Sequence, residues 1–464
     1  MHGKAQFLEA QAAVPRRLAL LLALFLLVNL ALLAATVPGA NLEHGADAAS
    51  WLAPAKALLK HGAFVEYQDP SLPQIFRQPL YPLFVAGFLW LGDGEAVLPV
   101  ILAQIALLFA TGVFVRAMVE LWLPGYGDLA MALAIFNPNA VGTAHLLQSD
   151  TLYAFLIAGV LWAVFAYARR PGFKPALLCG LSLGLACLVR PMAQYVILAL
   201  PVALPALGWA GGHGGEWVRQ VKAGLAAAVV AGAALLPWMI HNYEAGQGFQ
   251  LSAPALRSAY IWDNLPYLHK YSRDVSLEEA GREIGAVQEG FIERQQPAWA
   301  ELTERERHER LTRHGLEVLF AYPPGDIAEA YLWSWVQLFA IPGVGNLHNL
   351  LGLTTRTPFD LFFKERHPDF VSAGLAALEG ASLPTLAVSV LGFVYVLALR
   401  GAGLFGLAVM VARRQWPVLA VTVGVIAYFA LIYLFVGNSR YRLPVEPLLI
   451  LLAVYGLDGL KPRR

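Results

Sequence analysis

Asp47, Arg77, Asp150, Arg190 and the run Arg440-Tyr441-Arg442 each interrupt or end a long apolar stretch. Ionisable groups in such places are expensive to desolvate and tend to mark a substrate path. Two carboxylates on one face suit transfer of an acyl or glycosyl group to a hydroxyl, one taking the acceptor proton while the other orients hydroxyls. A guanidinium is a planar fork that matches phosphate oxygens two at a time. Asp47 and Asp150 are therefore the candidate catalytic carboxylates, and Arg77, Arg190, Arg440 and Arg442 the candidate phosphate ligands.

Each of these residues also has a plainer reading. Asp47 and Asp150 stand where helices should begin, and aspartate is a preferred N-cap. At such a cap the helix dipole would keep the Asp47 carboxylate ionised, so capping and base chemistry are compatible. A lone interfacial arginine can snorkel to the headgroups. Four arginines on the external side, however, run against the positive-inside bias. The element Pro237-Trp238-Met239-Ile240-His241-Asn242-Tyr243 is either an aromatic interface anchor or, through His241 and Asn242, part of a substrate site. Tyr81 and Tyr441 are further candidate substrate contacts beside the arginines. His44 and His241 could bind metal, but no metal-ligand spacing or acidic cluster supports it, so a divalent metal is possible but unsupported and no cofactor is required. No Gly-rich phosphate loop, nucleophile elbow or CxxC motif is present.

The elements that must position these residues are apolar. Of 464 residues, 58% are hydrophobic and 14% charged, where a soluble chain carries about a quarter charged residues. The net charge of +1 is uninformative about partners, and no basic patch with interleaved aromatics suggests nucleic acid. Cys179 and Cys187 are eight apart in one apolar segment, roughly 12 Å along a helix and beyond disulfide reach.

Ten spans are expected, each near the about 20 residues a bilayer core demands. They are Leu18–Thr36, Ala96–Val119, Leu129–Leu147, Thr151–Tyr167, Ala176–Leu188, Gln194–Trp209, Ala223–Ile240, Leu383–Val411, Pro417–Val436 and Val445–Leu457. Leu18–Thr36 reads as a retained first helix held by Arg16-Arg17, being long for a cleaved signal. Alternating the spans places Arg116, Arg169-Arg170 with Lys174, Arg219 with Lys222, Arg413-Arg414 and the tail 461–464 on the cytoplasmic side. Arg400 is a misfit inside its span.

Two external stretches remain, 38–95 and 241–382, in what is otherwise one polytopic membrane domain, 1–464. In the first, Trp51, Leu52, Ala55, Leu58 and Leu59 share one helical face with Lys56 and Lys60 opposite, predicting a membrane-surface helix over Asp47–Lys60. In the second, Ser276 to Glu279 resembles a capping box. Ile327–Ile341 is either a surface helix or a re-entrant piece. Tyr260, Trp262, Tyr267 and Tyr271 can stack on a sugar or face lipid headgroups.

The ordered set Asp47-x-x-Ser50-Trp51, Arg77-x-Pro79-x-Tyr81-Pro82, Ser149-Asp150, Leu188-Val189-Arg190-Pro191, Pro237-Trp238…Asn242 and Arg440-Tyr441-Arg442-Leu443-Pro444 resembles the GT-C superfamily of polytopic glycosyltransferases. The likeness is closest to the bacterial lipid A aminoarabinose transferase and protein O-mannosyltransferase type, and covers nearly the whole chain. It implies an all-α integral membrane fold of about ten transmembrane helices with external juxtamembrane helices. It also implies sugar transfer from a polyprenyl-phosphate donor to a glycolipid, polysaccharide or protein acceptor on the outer face of the bacterial cytoplasmic (inner) membrane. Asp47 would be the first-loop catalytic aspartate and Asp150 the second acidic position. Many relatives carry a Glu beside that aspartate, whereas Ala46 and Ala48 flank Asp47 here, with Glu43 nearby.

A lipid-linked sugar flippase would share the cationic groups but would place ionisable residues along midspan, which reads here as nearly charge-free. An oligosaccharide polymerase or ligase would share the substrate without needing an aspartate so soon after the first helix.

Overall fold

The computed structural model describes residues 2–42, 45–92, 94, 96–353, 370–379 and 381–461. Glu43, His44, Glu95 and the tail residues 462–464 lie outside them, as do 354–369 of the second external stretch. Among the described residues the chain is helical, and its one β-bridge joins Val65 to Pro73.

The first part runs α1 (His2–Ala35), α2 (Gly45–His61), α3 (Leu80–Trp90), α4 (Leu98–Trp122), α5 (Gly127–Ile135), α6 (Pro138–Ala144), α7 (Asp150–Arg169), α8 (Phe173–Val189), α9 (Gln194–Ala210) and α10 (Trp217–Glu244). A polar group follows: α11 (Pro254–Arg273), α12 (Leu277–Arg294), α13 (Ala298–Glu301), α14 (Glu304–Phe320), α15 (Pro324–Ala340) and α16 (Gly345–Leu350). The chain then continues through α17 (Phe370–Leu378), α18 (Leu383–Ala412), α19 (Trp416–Ile432), a 3-10 turn over Ser439–Val445, and α20 (Glu446–Gly459).

Among the described residues, six segments are long and apolar enough to cross a membrane: Arg16–Ala35, Leu98–Trp122, Asp150–Arg169, Pro191–Ala210, Gly214–Glu244 and Leu383–Ala412. Their outward faces carry large apolar side chains, with Leu27 65%, Leu198 79% and Leu404 72% exposed. Surface of that kind is stable only against lipid, so this is a helical membrane protein.

The other four expected spans fall short. Leu129–Leu147 is broken, because Pro138 has no N–H to extend α5 and the Asn137 side chain accepts from the backbone N–H groups of Asn139 and Ala140, starting α6 afresh. Ala176–Leu188, Pro417–Val436 and Val445–Leu457 lie in helices of 17, 17 and 14 residues. α20 is nevertheless deeply buried, with Glu446 to Gly456 all inside.

Close helix contacts rest on small residues, the usual device where lipid gives no hydrophobic drive to pair. A side chain on Gly180 would collide with the Ala227 backbone of α10, and one on Gly406 with the Leu452 carbonyl of α20. Cys179 and Cys187 are free thiols buried on α8.

Helices α11 to α15 form a packed cap, with Ile261, Trp262, Leu265, Leu268, Ile284 and Leu311 in its own core. Ser276 and Thr303 accept from backbone N–H groups to start α12 and α14. Ile327–Ile341 falls in α15 and its C-cap; Ala330 joins the cap's core, and the helix is tied to the end of α19, where Trp335 Nε1 donates to the Ala430 carbonyl and Ser334 Oγ to the Leu434 carbonyl, both at 3.0 Å.

The two ends of the bundle differ in charge. At the end away from the cap, Arg116 pairs with Asp128 at 2.8 Å and Arg413 with Asp458 at 2.5 Å, while Arg169 covers Trp122 and Lys461 covers Tyr126.

Candidate functional site

The cap end gathers Asp47, Arg77, Asp150, Arg190 and Arg440. Asp47 lies in the first turn of α2, where its carboxylate binds arginines. Oδ1 accepts from Arg77 Nη2 at 3.1 Å, and Oδ2 accepts from both Nη1 and Nη2 of Arg440 at 3.1 Å.

Arg77 is held on every side. Its Nε and Nη2 donate to Ser50 Oγ at 3.0 and 2.6 Å, and its guanidinium lies 4.3 Å over the Trp51 ring. Gln74 Oε1 accepts from the backbone N–H groups of Phe76 and Arg77, shaping the turn that presents the side chain. The motif spacing Asp47-x-x-Ser50-Trp51 thus places three partners of Arg77 on successive positions of one helix face.

Arg190 ends α8, where Pro191 forces the preceding residue out of helical geometry, φ −145° and ψ 129°. From there Nη2 donates to Asp150 Oδ2 at 2.6 Å and Nε to Ser149 Oγ at 2.9 Å. Tyr441 joins the two halves. It stacks on Tyr433 at 4.5 Å, and the guanidiniums of Arg440 and Arg190 stand 5.1 and 5.9 Å from its ring.

Arg440 is positioned by its neighbours, since Asn438 Oδ1 accepts from its backbone N–H at 3.0 Å and Asn139 Nδ2 donates to the Ser439 carbonyl at 2.8 Å. Arg440 Nε, the Tyr433 hydroxyl and both polar atoms of the Gln148 amide are buried without a hydrogen-bond partner. Such atoms are costly unless a polar ligand or water meets them.

Burial pushes the Asp47 carboxyl up, but Arg440 and Arg77 outweigh it and hold the group below the usual carboxylate range. Asp47 is 38% exposed, so solvent moderates the effect.

Four candidate residues serve the architecture rather than a ligand. Arg442 is 0% exposed and pairs with Glu446 Oε1 at 2.5 Å. It also donates to the carbonyls of Leu338 at 2.8 Å, Ile341 at 2.5 Å and Pro342 at 3.2 Å. These bonds commit its guanidinium to the join between α15 and α20, so it is not available to a phosphate. Tyr81 is fully buried. Its hydroxyl donates to Gln104 Oε1 at 2.7 Å, and Gln104 Nε2 holds the carbonyls of Ala144 and Leu146 in the turn leading to Asp150. His241 Nε2 meets the Gln74 carbonyl at 3.0 Å and its ring stacks on Trp238 at 4.5 Å, steadying the Arg77 loop. Asn242 Nδ2 donates to the carbonyls of Gln250 and Leu251 at 2.8 and 3.2 Å inside the protein.

Arg400 is explained by the same cluster. It donates to Glu446 Oε1 and to the Phe339 carbonyl, both at 3.2 Å, so midspan is not charge-free. Fixed carbonyls hold both arginines of this group, which marks a staple between helices rather than a path.

Sequence reasoning missed Asp263, on α11. Burial and the charge of Asp47 both raise its carboxyl above the usual range, opposite in direction to Asp47, though it remains open to solvent. Only its neighbour Trp262 gave any signal.

Among the described residues no group of three or more His, Cys, Asp or Glu could hold a metal ion. Comparison with protein-family models, with curated proteins and with solved structures gave no match.

Proposed function

We propose that the protein is a membrane glycosyltransferase of the GT-C kind, moving a sugar from a polyprenyl-phosphate donor to a hydroxyl-bearing acceptor at the outer face of the cytoplasmic membrane. One observation carries this reading: two carboxylates and three guanidiniums from five separate segments meet at the cap end of a helix bundle, with unpartnered polar atoms among them. The grouping of Arg116, Arg169, Arg413 and Lys461 at the opposite end supports a cytoplasmic location for that end.

The lipid phosphate is held by Arg440, Arg190 and Arg77, with its prenyl chain between helices. Its negative charge competes with Asp47 for Arg77 and Arg440. A carboxylate clamped by two guanidiniums is a weak base, and sharing them with phosphate restores its basicity. Donor binding thereby arms Asp47. The acceptor oxygen attacks the anomeric carbon, and its proton passes to Asp47. The bond from that carbon to the phosphate oxygen breaks, its electron pair leaving on phosphate, where the arginines stabilise the charge. A single displacement gives inversion. Asp150 keeps Arg190 aimed at the phosphate.

The test is transfer from a synthetic polyprenyl-phosphate sugar by the purified full-length protein, alongside mass spectrometry of surface glycolipids and glycoproteins from cells with and without the gene. Donor binding and turnover lost in Arg440→Ala, with the fold retained, support the reading. A protein that neither binds nor consumes any such donor would refute it.

A further inference from the structure

We propose that the cleft between α11 and α12 is a binding subsite for a pyranose residue of the acceptor, a role that rests on the glycosyl-transfer reading above. The cleft is open to solvent, has a volume of about 460 Å³ and is lined by Trp262, Asp263 and Tyr267 of α11 and by Gly281, Gly285 and Gln288 of α12, among others. That volume falls in the range of small-ligand sites, about 300–1,000 Å³.

The lining has the chemistry of a sugar site. A pyranose presents an apolar C–H face and a rim of hydroxyls. Aromatic rings fit the face, while a carboxylate and an amide accept from or donate to the rim. Trp262, buried in the cap's own core, is a fixed floor, its Nε1 donating to the Leu311 carbonyl at 3.0 Å, and half-buried Tyr267 is the ring a sugar could reach.

The opposite wall is hollowed by its sequence. Gly281 and Gly285 stand four apart on one face of α12, and glycine inside a helix costs about 1 kcal/mol relative to alanine. Neither glycine has a positive φ, and a methyl group on either would meet nothing within 4 Å. Packing therefore does not demand glycine at these positions, and neither residue adds a side chain that would narrow the cleft.

Helix α11, which forms one wall of the cleft, is also fastened to the segment that leads into the arginine site. Tyr260, one turn before Asp263, donates its hydroxyl to the Ile432 carbonyl beside Tyr433. Asn264 Oδ1 accepts from the Phe435 N–H at 3.0 Å, fastening the same helix to the same segment. Tyr433 in turn stacks on Tyr441. Asp263 is close enough to Asp47 to feel its charge. A sugar seated in the cleft would thus present a hydroxyl toward Asp47.

Saturation-transfer NMR on the full-length protein in lipid nanodiscs tests this, with the methyl glycosides of glucose, galactose, mannose and N-acetylglucosamine as probes. At least one probe should give saturation transfer with the wild-type protein. That signal should vanish in Gly285→Leu, which fills the cleft, and weaken in Gln288→Ala, with thermal melting confirming that both variants fold. No signal from any probe overturns the proposal, as does a signal undiminished in a folded Gly285→Leu protein. Binding of polyprenyl phosphate is measured on the same samples and should be unchanged by Gly285→Leu. If polyprenyl phosphate fails to bind the wild-type protein, the donor reading falls while the sugar-binding result stands on its own.

Discussion

Asp47 Oδ2 accepts from both amino groups of Arg440, a residue 393 positions later, at 3.1 Å. This contact closes the chain's first loop onto its last turn before α20. It also leaves the carboxylate of Asp47 satisfied by guanidiniums instead of by its own helix.

Asp47→Asn should separate chemistry from binding. Turnover should fall about 10²–10⁴-fold, the usual worth of a positioned base, while polyprenyl-phosphate binding stays equal or tightens because two arginines are released. Titrating the donor against wild type and variant checks this. Turnover unaffected by the change would remove the base assignment, and binding lost in parallel with turnover would make Asp47 a structural anchor.

Arg440→Ala and Arg442→Ala should fail in different ways although the residues are two apart. The first should lose donor affinity and keep its melting temperature within a few degrees. The second leaves Glu446 without its nearest partner in the interior, and breaking such a buried pair costs about 3–5 kcal/mol. Thermal unfolding in detergent, read beside donor binding, distinguishes the two.

The Asp47 pairing should show in acid. Its carboxyl titrates in the folded protein below the ordinary value of 3.8. A depressed folded value means that the pairing stabilises the protein above the unfolded value and ceases to do so as pH falls through the folded one. The melting-temperature gap between wild type and Asp47→Asn should therefore be constant from about pH 5 to pH 8 and shrink only below 3.8. A gap that closes nearer neutrality would show that the arginines do not hold the group as the geometry implies.

Tyr441 should tolerate loss of its hydroxyl better than loss of its ring. Tyr441→Phe keeps the 4.5 Å stack on Tyr433 and gives up only the 3.3 Å bond from Arg440. Tyr441→Ala removes the stack, worth about 0.5–1.5 kcal/mol beyond burial, together with both guanidinium–ring contacts. Turnover should follow wild type, then Phe, then Ala; equal activity in all three would exclude Tyr441 from the site.

Much of this arrangement was legible in the residues alone. Long apolar runs announced a membrane protein, and the face Trp51, Leu52, Ala55, Leu58, Leu59 announced α2. Charges at the ends of apolar runs singled out Asp47, Arg77, Asp150, Arg190 and Arg440, because burying an ion without a partner is expensive.

What the residues alone left undecided was direction and partner. Arg440 and Arg442 read alike in the sequence, yet successive positions in a tight turn point different ways: one meets Asp47, and the other meets Glu446 and three carbonyls. Tyr81 and Asn242 looked like site residues until helix packing drew them inside. Asp263 carried no mark beyond its neighbour Trp262, since the docking of α11 beside Tyr433 brings it near Asp47. Hydropathy and spacing are local and so determine which segments leave water and which residues resist leaving it. Which charge answers which depends on contacts hundreds of residues apart, and tertiary packing alone decides those.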